Sequence, residues 1–315
     1  MLTWVEVSRS AIKHNLAEFK RLIGRRVLLM PVVKSNAYGH GIIEVAKICD
    51  ADKNVDRICV VNLDEALSLI KNGIKKPILI LSFYELDKKK LKTAIQNGVI
   101  FPIYREDQMS ALNKAGRQLK TRVIVHLKID SGTTRIGVLP NQALDFAKKI
   151  SRLSNLYFEG IWSHFASSES DPIFTNKQLT LFNKTVEQIE KEGIALPIKH
   201  FACSAATTLH RQTHFNAVRL GLSVYGLYPD KKSKKKINLK PALSLNTRII
   251  QVKTVSKNTK ISYGGTYTTK QPTKIAILPI GYWDGIDRKL SNRAKVIVRG
   301  VSCPIRGRIC MNLTM

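Results

Sequence analysis

The sequence is short of acidic residues, of paired cysteines and of long apolar runs, and each shortage removes a class of protein. The five cysteines (Cys49, Cys59, Cys203, Cys303, Cys310) are odd in number and never spaced as Cys-x-x-Cys. A disulfide framework and a structural zinc site are therefore not expected, no metal ligand set is read, and a reducing cytoplasm fits. No apolar stretch exceeds the length of a strand, so no membrane span is expected. The N-terminal Met-Leu-Thr-Trp-Val-Glu-Val alternates like a strand and lacks the basic-then-apolar layout of a signal peptide. Acidic residues number 23 against 52 Lys and Arg, a net charge of +29. Such a charge invites a nucleic-acid reading, but the basic residues are dispersed. Their two local runs, 88–90 and 231–236, carry no interleaved aromatics, and no zinc finger, ribonucleoprotein motif or basic zipper accompanies them. The 231–236 run reads as a solvated linker at a domain junction. No nucleic-acid partner is expected; the diffuse positive field suits a small anionic ligand instead.

What is present is an alternation of strand-like and helix-like segments. Ile12, Leu16, Phe19 and Ile23 share one helical face that Gly24 stops. Apolar strand-sized runs then recur at 27–33, 57–62, 77–82, 99–103, 123–128, 157–162, 198–202 and 216–220, with amphipathic stretches between them. Short continuous apolar runs are expected of parallel strands buried on both faces. About eight such units give an α/β fold, a (β/α)₈ TIM barrel over residues 8–230. After residue 240 the pattern changes to strands separated by Gly, Asn and Pro turns. This reads as a mainly antiparallel β domain over 231–315, joined by the N-terminal strand 1–7. The chain stops within an apolar segment, so this domain is expected to be incomplete.

Barrel enzymes build their sites from the loops that follow the strands. The polar residues falling there are Lys34 after the first strand, Lys128, Asp130 and Arg135 after the fifth, His164 after the sixth, Ser204 after the seventh, and Arg219 with Gly221 at the eighth. Lys34 at the mouth of a buried strand is expected to be partly desolvated, which frees its amine for Schiff-base chemistry. Singly, each has a structural reading: a snorkelling lysine, a satisfied core histidine, a serine helix cap. Together they converge on one mouth. Ser204, opening a Ser-Ala-Ala-Thr-Thr run, and the amides around Gly221 suit a phosphate. An amine nucleophile beside a phosphate cradle points to pyridoxal 5'-phosphate.

The motifs Val-Lys-Ser-Asn-Ala-Tyr-Gly-His-Gly (33–41), Lys-Ile-Asp-Ser-Gly-Thr-Thr-Arg-Ile-Gly (128–137), His-Phe-Ala (164–166), Cys-Ser-Ala-Ala (203–206) and Arg-Leu-Gly-Leu-Ser-Val-Tyr-Gly (219–226) follow in order. They are joined by Ser-Tyr-Gly (262–264), Gly-Tyr-Trp-Asp-Gly (281–285) and Gly-Arg-Ile-Cys-Met (307–311). In this ordered set the chain resembles the alanine racemases, fold-type III pyridoxal-phosphate enzymes, over essentially its whole length. The last three motifs set it apart from the related decarboxylases and from barrel-only cofactor-binding proteins.

The resemblance implies a homodimer with shared sites that interconverts L- and D-alanine and supplies D-alanine for peptidoglycan. It implies that Lys34 holds the cofactor covalently and is the base on one face of the substrate, and that Tyr263 of the partner subunit is the base on the other. His164 and Arg219 are implied as support for that tyrosine, with Arg219 also facing the pyridine nitrogen. Arg135 is implied to bond the cofactor's phenolic oxygen and the substrate carboxylate, aided by the partner subunit's Met311 amide. Tyr38, Ser204, Gly221 and Leu222 are implied to hold the phosphate, and Lys128 matches a lysine that is carbamylated in some members. The chain departs from the family pattern at Asn312, usually Asp, and at Cys203, usually Asn. The family also continues several dozen residues beyond residue 315, so an inactive, binding-only homologue is an alternative expectation, as is a racemase of another small amino acid such as serine.

Overall fold

The computed structural model describes residues 1–315. The chain divides into two compact units: Ser8–Ala242, and Met1–Val7 together with Leu243–Met315. The second unit contains the N-terminal strand β1 (Thr3–Val7).

The first unit is a closed (β/α)₈ barrel. Its strands are β2 (Leu28–Pro31), β3 (Ile58–Val60), β4 (Ile78–Ile80), β5 (Phe101–Ile103), β6 (Val123–Lys128), β7 (Leu156–Trp162), β8 (Ile198–His200) and β9 (Ala217–Leu220). They pair in parallel in the order β2-β9-β8-β7-β6-β5, and β3 pairs with β4. Single bridges, Val32 to Cys59 and Leu79 to Ile100, close the ring on either side of the β3-β4 pair. Helices follow the strands and are set by local signals. In the helix Arg9–Ile23, Ile12, Leu16, Phe19 and Ile23 are buried, the Ser8 hydroxyl accepts from the Ala11 N–H, and Gly24 ends it at φ 79°. Asn62, Asp87 and Asp171 cap three others in the same manner, each such cap being worth about 1 kcal/mol.

The barrel interior is unequal. Met30, Val32, Cys59, Leu79, Ile100 and Ala217 form an apolar cluster on the β2–β5 side and at β9. On the β6–β9 side the buried residues include His126, Lys128, His200 and Arg219. Buried charge and polarity are costly unless satisfied, so this side of the barrel is where chemistry is expected.

The compact barrel unit runs to Ala242, so the lysine run packs with it. Asp230 accepts hydrogen bonds from Lys232 N and Ser233 N, turning the chain so that Ser233, Ile237, Leu239 and Ala242 are buried while the lysines stay outside. Asn15 then bonds both backbone groups of Lys240, accepting from its N–H at 2.8 Å and donating to its C=O at 2.9 Å. The carbonyl of Lys240 lies 2.1 Å from where a Cβ on Gly226 would sit, so only glycine fits there.

In the second unit β1 pairs antiparallel with β10 (Leu243–Thr247), β11 (Gln251–Val255) with β14 (Thr273–Ile277), β12 (Lys260–Ile261) with β13 (Tyr267–Thr268), and β15 (Lys295–Val298) with β16 (Val301–Pro304). The β15–β16 hairpin turns on Arg299 and Gly300, both at positive φ as a two-residue hairpin loop requires. Ile261, Ile275, Leu278, Ile280, Ile305 and Ile309 are the buried apolar residues of this second unit. No helix of the protein is long and apolar enough to cross a membrane.

Candidate active site

A cavity of about 400 Å³ opens among the loops that follow the barrel strands. It is lined by Lys34, Tyr38, Lys128, Arg135, His164, Ser204, Arg219, Gly221 and Leu222, the barrel residues singled out in the sequence except Asp130. Four cationic side chains face one carboxylate, Glu169, across this volume. Such a surplus of positive charge in a walled site selects anions.

Lys34 is held by unusual backbone. Ser35, Asn36, Ala37 and Tyr38 all lie at φ between 53° and 55°, forming one left-handed turn. For L-residues this costs about 1–2 kcal/mol each, so neighbours must hold it. Glu65 does so, accepting from Ser35 N at 2.6 Å and, through its other oxygen, from Val61 N at 2.9 Å. Asn36 adds two anchors, its side-chain oxygen accepting from Ile42 N and its carbonyl from Gly41 N. The turn leaves Lys34 half-buried. Burial, and then the charge of Arg135, hold its pKa below the ordinary lysine value, opposed by Glu65.

Lys128 ends β6 and is only 3% exposed. Its amine has one long hydrogen bond, to Leu81 O at 3.4 Å, and lies 4.3 Å from the centre of the Trp162 ring. Burial, with Arg135 and Arg219 nearby, lowers its pKa to about 7. Asp130 does not line the cavity but shapes the loop carrying Arg135. It accepts from the N–H groups of Gly132, Thr133, Thr134 and Arg135. Burial raises its pKa, yet these four donors outweigh that and keep it ionised.

Arg219, on β9, is 3% exposed and touches no carboxylate. Its guanidinium donates to the carbonyls of Ser163 (2.6 Å), His200 (3.0 Å) and Phe201 (3.2 Å) and to the ring nitrogen Nδ1 of His200. Burial lowers its pKa to about 10, which still leaves it charged at neutral pH. His164 Nδ1 is 3.5 Å from Arg219 Nη2. Burial and then the positive charges around it push His164 down to about 3, so its imidazole is neutral.

Ser204 opens the helix Ser204–Leu209, and its hydroxyl accepts from Gly221 N at 3.0 Å. Gly221 lacks a Cβ where one would lie 2.6 Å from the Tyr38 hydroxyl. Tyr38, Ser204 and Gly221 thus form a tight polar cradle, with Leu222 beginning a 3₁₀ turn beside it.

Tyr263 and Met311 belong to the other unit and do not line this cavity. Tyr263 starts the turn Tyr263–Gly265 and is 71% exposed; the preceding Ser262 is at φ 62° and donates from its hydroxyl to Arg308 O. Met311 is 51% exposed, and its carbonyl accepts from Trp283 N. Gly281 is required there, since a Cβ would meet Cys310 O at 2.2 Å.

Besides Glu65, three side chains that bear on the site do not fall among the polar residues singled out at strand ends. His126 and Glu159 lie within β6 and β7, and His200 ends β8. Their one signal in the sequence is a polar residue breaking an otherwise apolar barrel strand. Glu65 left no signal, because its task is to bond backbone that only the folded turn creates.

A barrel mouth that gathers a desolvated lysine amine, two arginines and a polar cradle in one cationic cavity defines an enzyme built for amine chemistry on an anionic ligand. The chain belongs to the alanine racemase family: residues 7–229 match its N-terminal domain and residues 242–315 its C-terminal domain. It is 41% identical over 315 residues to the alanine racemase of Methanococcus maripaludis, spanning 99% of this chain and 83% of that protein. It is 40% identical to alanine racemase 2 of Caldanaerobacter subterraneus, spanning 99% and 80%. Among solved structures, the alanine racemase of Clostridium difficile 630 superposes with a TM-score of 0.89 at 33% identity, covering 100% of this chain and 82% of that one. The same enzyme in complex with cycloserine gives 0.87 at 32%, covering 100% and 82%.

Proposed function

We propose that this protein is a pyridoxal-phosphate-dependent isomerase that interconverts L- and D-alanine, working as a cytoplasmic homodimer and supplying D-alanine for the cell wall. The observation that carries the reading is the cavity itself, which combines the Lys34 amine, three further basic side chains and the Tyr38–Ser204–Gly221 cradle. The residues fit the cofactor, since the phosphate would meet the polar cradle while Arg135 and Arg219 stay charged for its ring oxygen and nitrogen and for a substrate carboxylate. When bound, pyridoxal phosphate supplies an electron sink that acidifies the hydrogen on the substrate Cα.

Lys34 would hold the cofactor and, once the substrate amine has displaced it, its free Nζ would take or return the Cα proton, a role favoured by burial that weakens its hold on a proton. Racemisation needs a second base on the opposite face, and Tyr263 of a partner copy fills it. Its high exposure leaves it available to another chain, and the partner subunit's Met311 amide adds a donor for the substrate carboxylate. Arg135 binds that carboxylate and the phenolic oxygen. Arg219 would face the ring nitrogen as a group that only donates and stays charged, which would leave that nitrogen unprotonated. Neutral His164 is then free to accept at one nitrogen and donate at the other, supporting the tyrosine. Tyr38, Ser204, Gly221 and Leu222 hold the phosphate. The Lys128 amine, half deprotonated near pH 7, is suited to attack carbon dioxide and lose a proton, giving a carbamate that pairs with Arg135. All five cysteines are unpaired, in keeping with a reducing compartment.

The test is to incubate the protein with pyridoxal phosphate and L-alanine and to follow D-alanine by chiral chromatography. Formation of D-alanine is expected, with serine turned over more slowly; a protein that binds the cofactor without turnover would reduce it to a binding-only homologue.

A further inference from the structure

The barrel interior holds a line of polar side chains that the reaction above does not use. Arg57, directly before β3, pairs with Glu159, its Nη2 donating to Oε1 at 2.9 Å and its Nη1 to Oε2. Glu159 Oε2 lies 2.8 Å from His126 Nε2, and His126 Nδ1 lies 2.8 Å from His200 Nε2. His200 Nδ1 meets the Arg219 guanidinium. The line thus runs from the start of β3 to the floor of the active-site cavity.

Its hydrogens are dictated by its ends. A guanidinium has only donors, so His200 Nδ1 must accept. The ring hydrogen of His200 therefore sits on Nε2 and is donated to His126 Nδ1. His126 then carries its own hydrogen on Nε2 and donates it to the Glu159 carboxylate. A second proton on either imidazole would set two donors against each other. Burial also disfavours the charged form of both rings, whereas the bonds from His126 and Arg57 hold Glu159 ionised at a pKa of about 2, against the effect of its own burial.

The fold builds this line deliberately. Val125 faces Phe158 and His126 faces Gly160, so Glu159 is the extra residue of a β-bulge, a device that re-aims a side chain. Gly160 clears the path, since a Cβ there would lie 3.0 Å from two atoms of the His126 ring. Trp162 stacks on His200 with ring planes 10° apart and lies beneath Arg219, fixing the plane of the last imidazole.

We propose that Arg57, Glu159, His126 and His200 are positioning residues, a one-way hydrogen-bonded relay that orients Arg219 and ties its charge to a carboxylate two imidazoles away. The proposal rests on Arg219 being the residue that faces the cofactor ring. A carboxylate in direct contact would occupy the guanidinium fork and cancel its charge; two neutral imidazoles leave that charge turned toward the cavity. Without Glu159, Arg219 is a buried cation with no carboxylate anywhere in its hydrogen-bond chain.

Neutron diffraction from crystals of the wild-type holoenzyme at pH 7 tests the relay without any variant. Hydrogen on Nε2 alone of both His126 and His200 is expected; hydrogen on Nδ1 of either ring overturns the proposal. In solution, Glu159→Gln is expected to lower kcat for alanine by roughly 10–100-fold, as losing a supporting partner of a site group commonly does. KM should change little, and the visible absorbance of the bound cofactor should shift. A Glu159→Gln protein that loses thermal stability but keeps kcat and the spectrum would make the line merely structural and refute the proposal. Should the wild type fail to racemise alanine while the neutron map shows the expected hydrogens, the relay stands and the assigned reaction falls.

Discussion

Gly221→Ala isolates the proposed phosphate cradle, because the added methyl meets one atom group only. A Cβ at this position lies 2.6 Å from the Tyr38 hydroxyl and 3.4 Å from its Cζ, with no other atom within 4 Å. Restoring an ordinary contact displaces the hydroxyl by roughly 0.8 Å. Tyr38 is 41% exposed and can yield, so the fold should lose no more than about 0.5 kcal/mol. The hydroxyl, however, leaves the place where we propose that it meets the phosphate. A hydrogen bond to an ionised oxygen is worth about 1.5–3 kcal/mol, so cofactor affinity should fall roughly 10–150-fold. Titrating the apoprotein with pyridoxal phosphate and following its visible absorbance measures this. The control is Tyr38→Phe: with the hydroxyl gone, the nearest ring atom is already at an ordinary 3.4 Å, and Gly221→Ala should cost little more. The double-mutant cycle should therefore show coupling of about 1.5–3 kcal/mol. Additive losses, or a Gly221→Ala protein that binds as tightly as wild type, would refute the cradle.

Two further substitutions probe the lysines. Below pH 7 Lys128 is charged in both the folded and the unfolded chain, and the fold bears the whole cost of burying it. From pH 7 to 10.5 folding expels a proton that the unfolded chain still holds, so the cost falls progressively and is gone above 10.5; the gap between 10.5 and about 7 amounts to roughly 5 kcal/mol. In buffer free of carbon dioxide, Lys128→Met should therefore raise the melting temperature at pH 6, and the difference from wild type should shrink by pH 10. A variant less stable than wild type at pH 6 would contradict this. Glu65→Gln keeps one acceptor but sets an amide against a backbone N–H in the clamp on Ser35 and Val61. A loss of about 1–3 kcal/mol in stability, with faster proteolysis near residues 35–41, is expected; an unchanged protection pattern would remove Glu65 from the account.

Much of the barrel is legible in the sequence because each parallel strand is a short apolar run and each run is followed by a helical pattern. The candidate site is legible for the same reason, since polar residues at strand ends stand out against apolar neighbours. What stayed hidden depends on geometry that no spacing encodes. The left-handed turn at 35–38 contains Ser, Asn, Ala and Tyr, of which only Asn is a usual left-handed residue, so nothing local announces it. The bulge at Glu159 is a register shift between two strands and exists only in their pairing. The path of the 231–236 run is hidden because charge dominates its composition, while Asp230, Ser233 and the apolar residues after it set how it turns.

If one site draws Lys34 from one copy and Tyr263 from another, subunit mixing will separate the two contributions. Lys34→Ala and Tyr263→Ala are each expected to be inactive alone. Dissociated together in equal amounts and reassembled, they should form mixed dimers with one intact site each, restoring about a quarter of wild-type alanine racemisation. A mixture as inactive as its two components would contradict the shared two-base site.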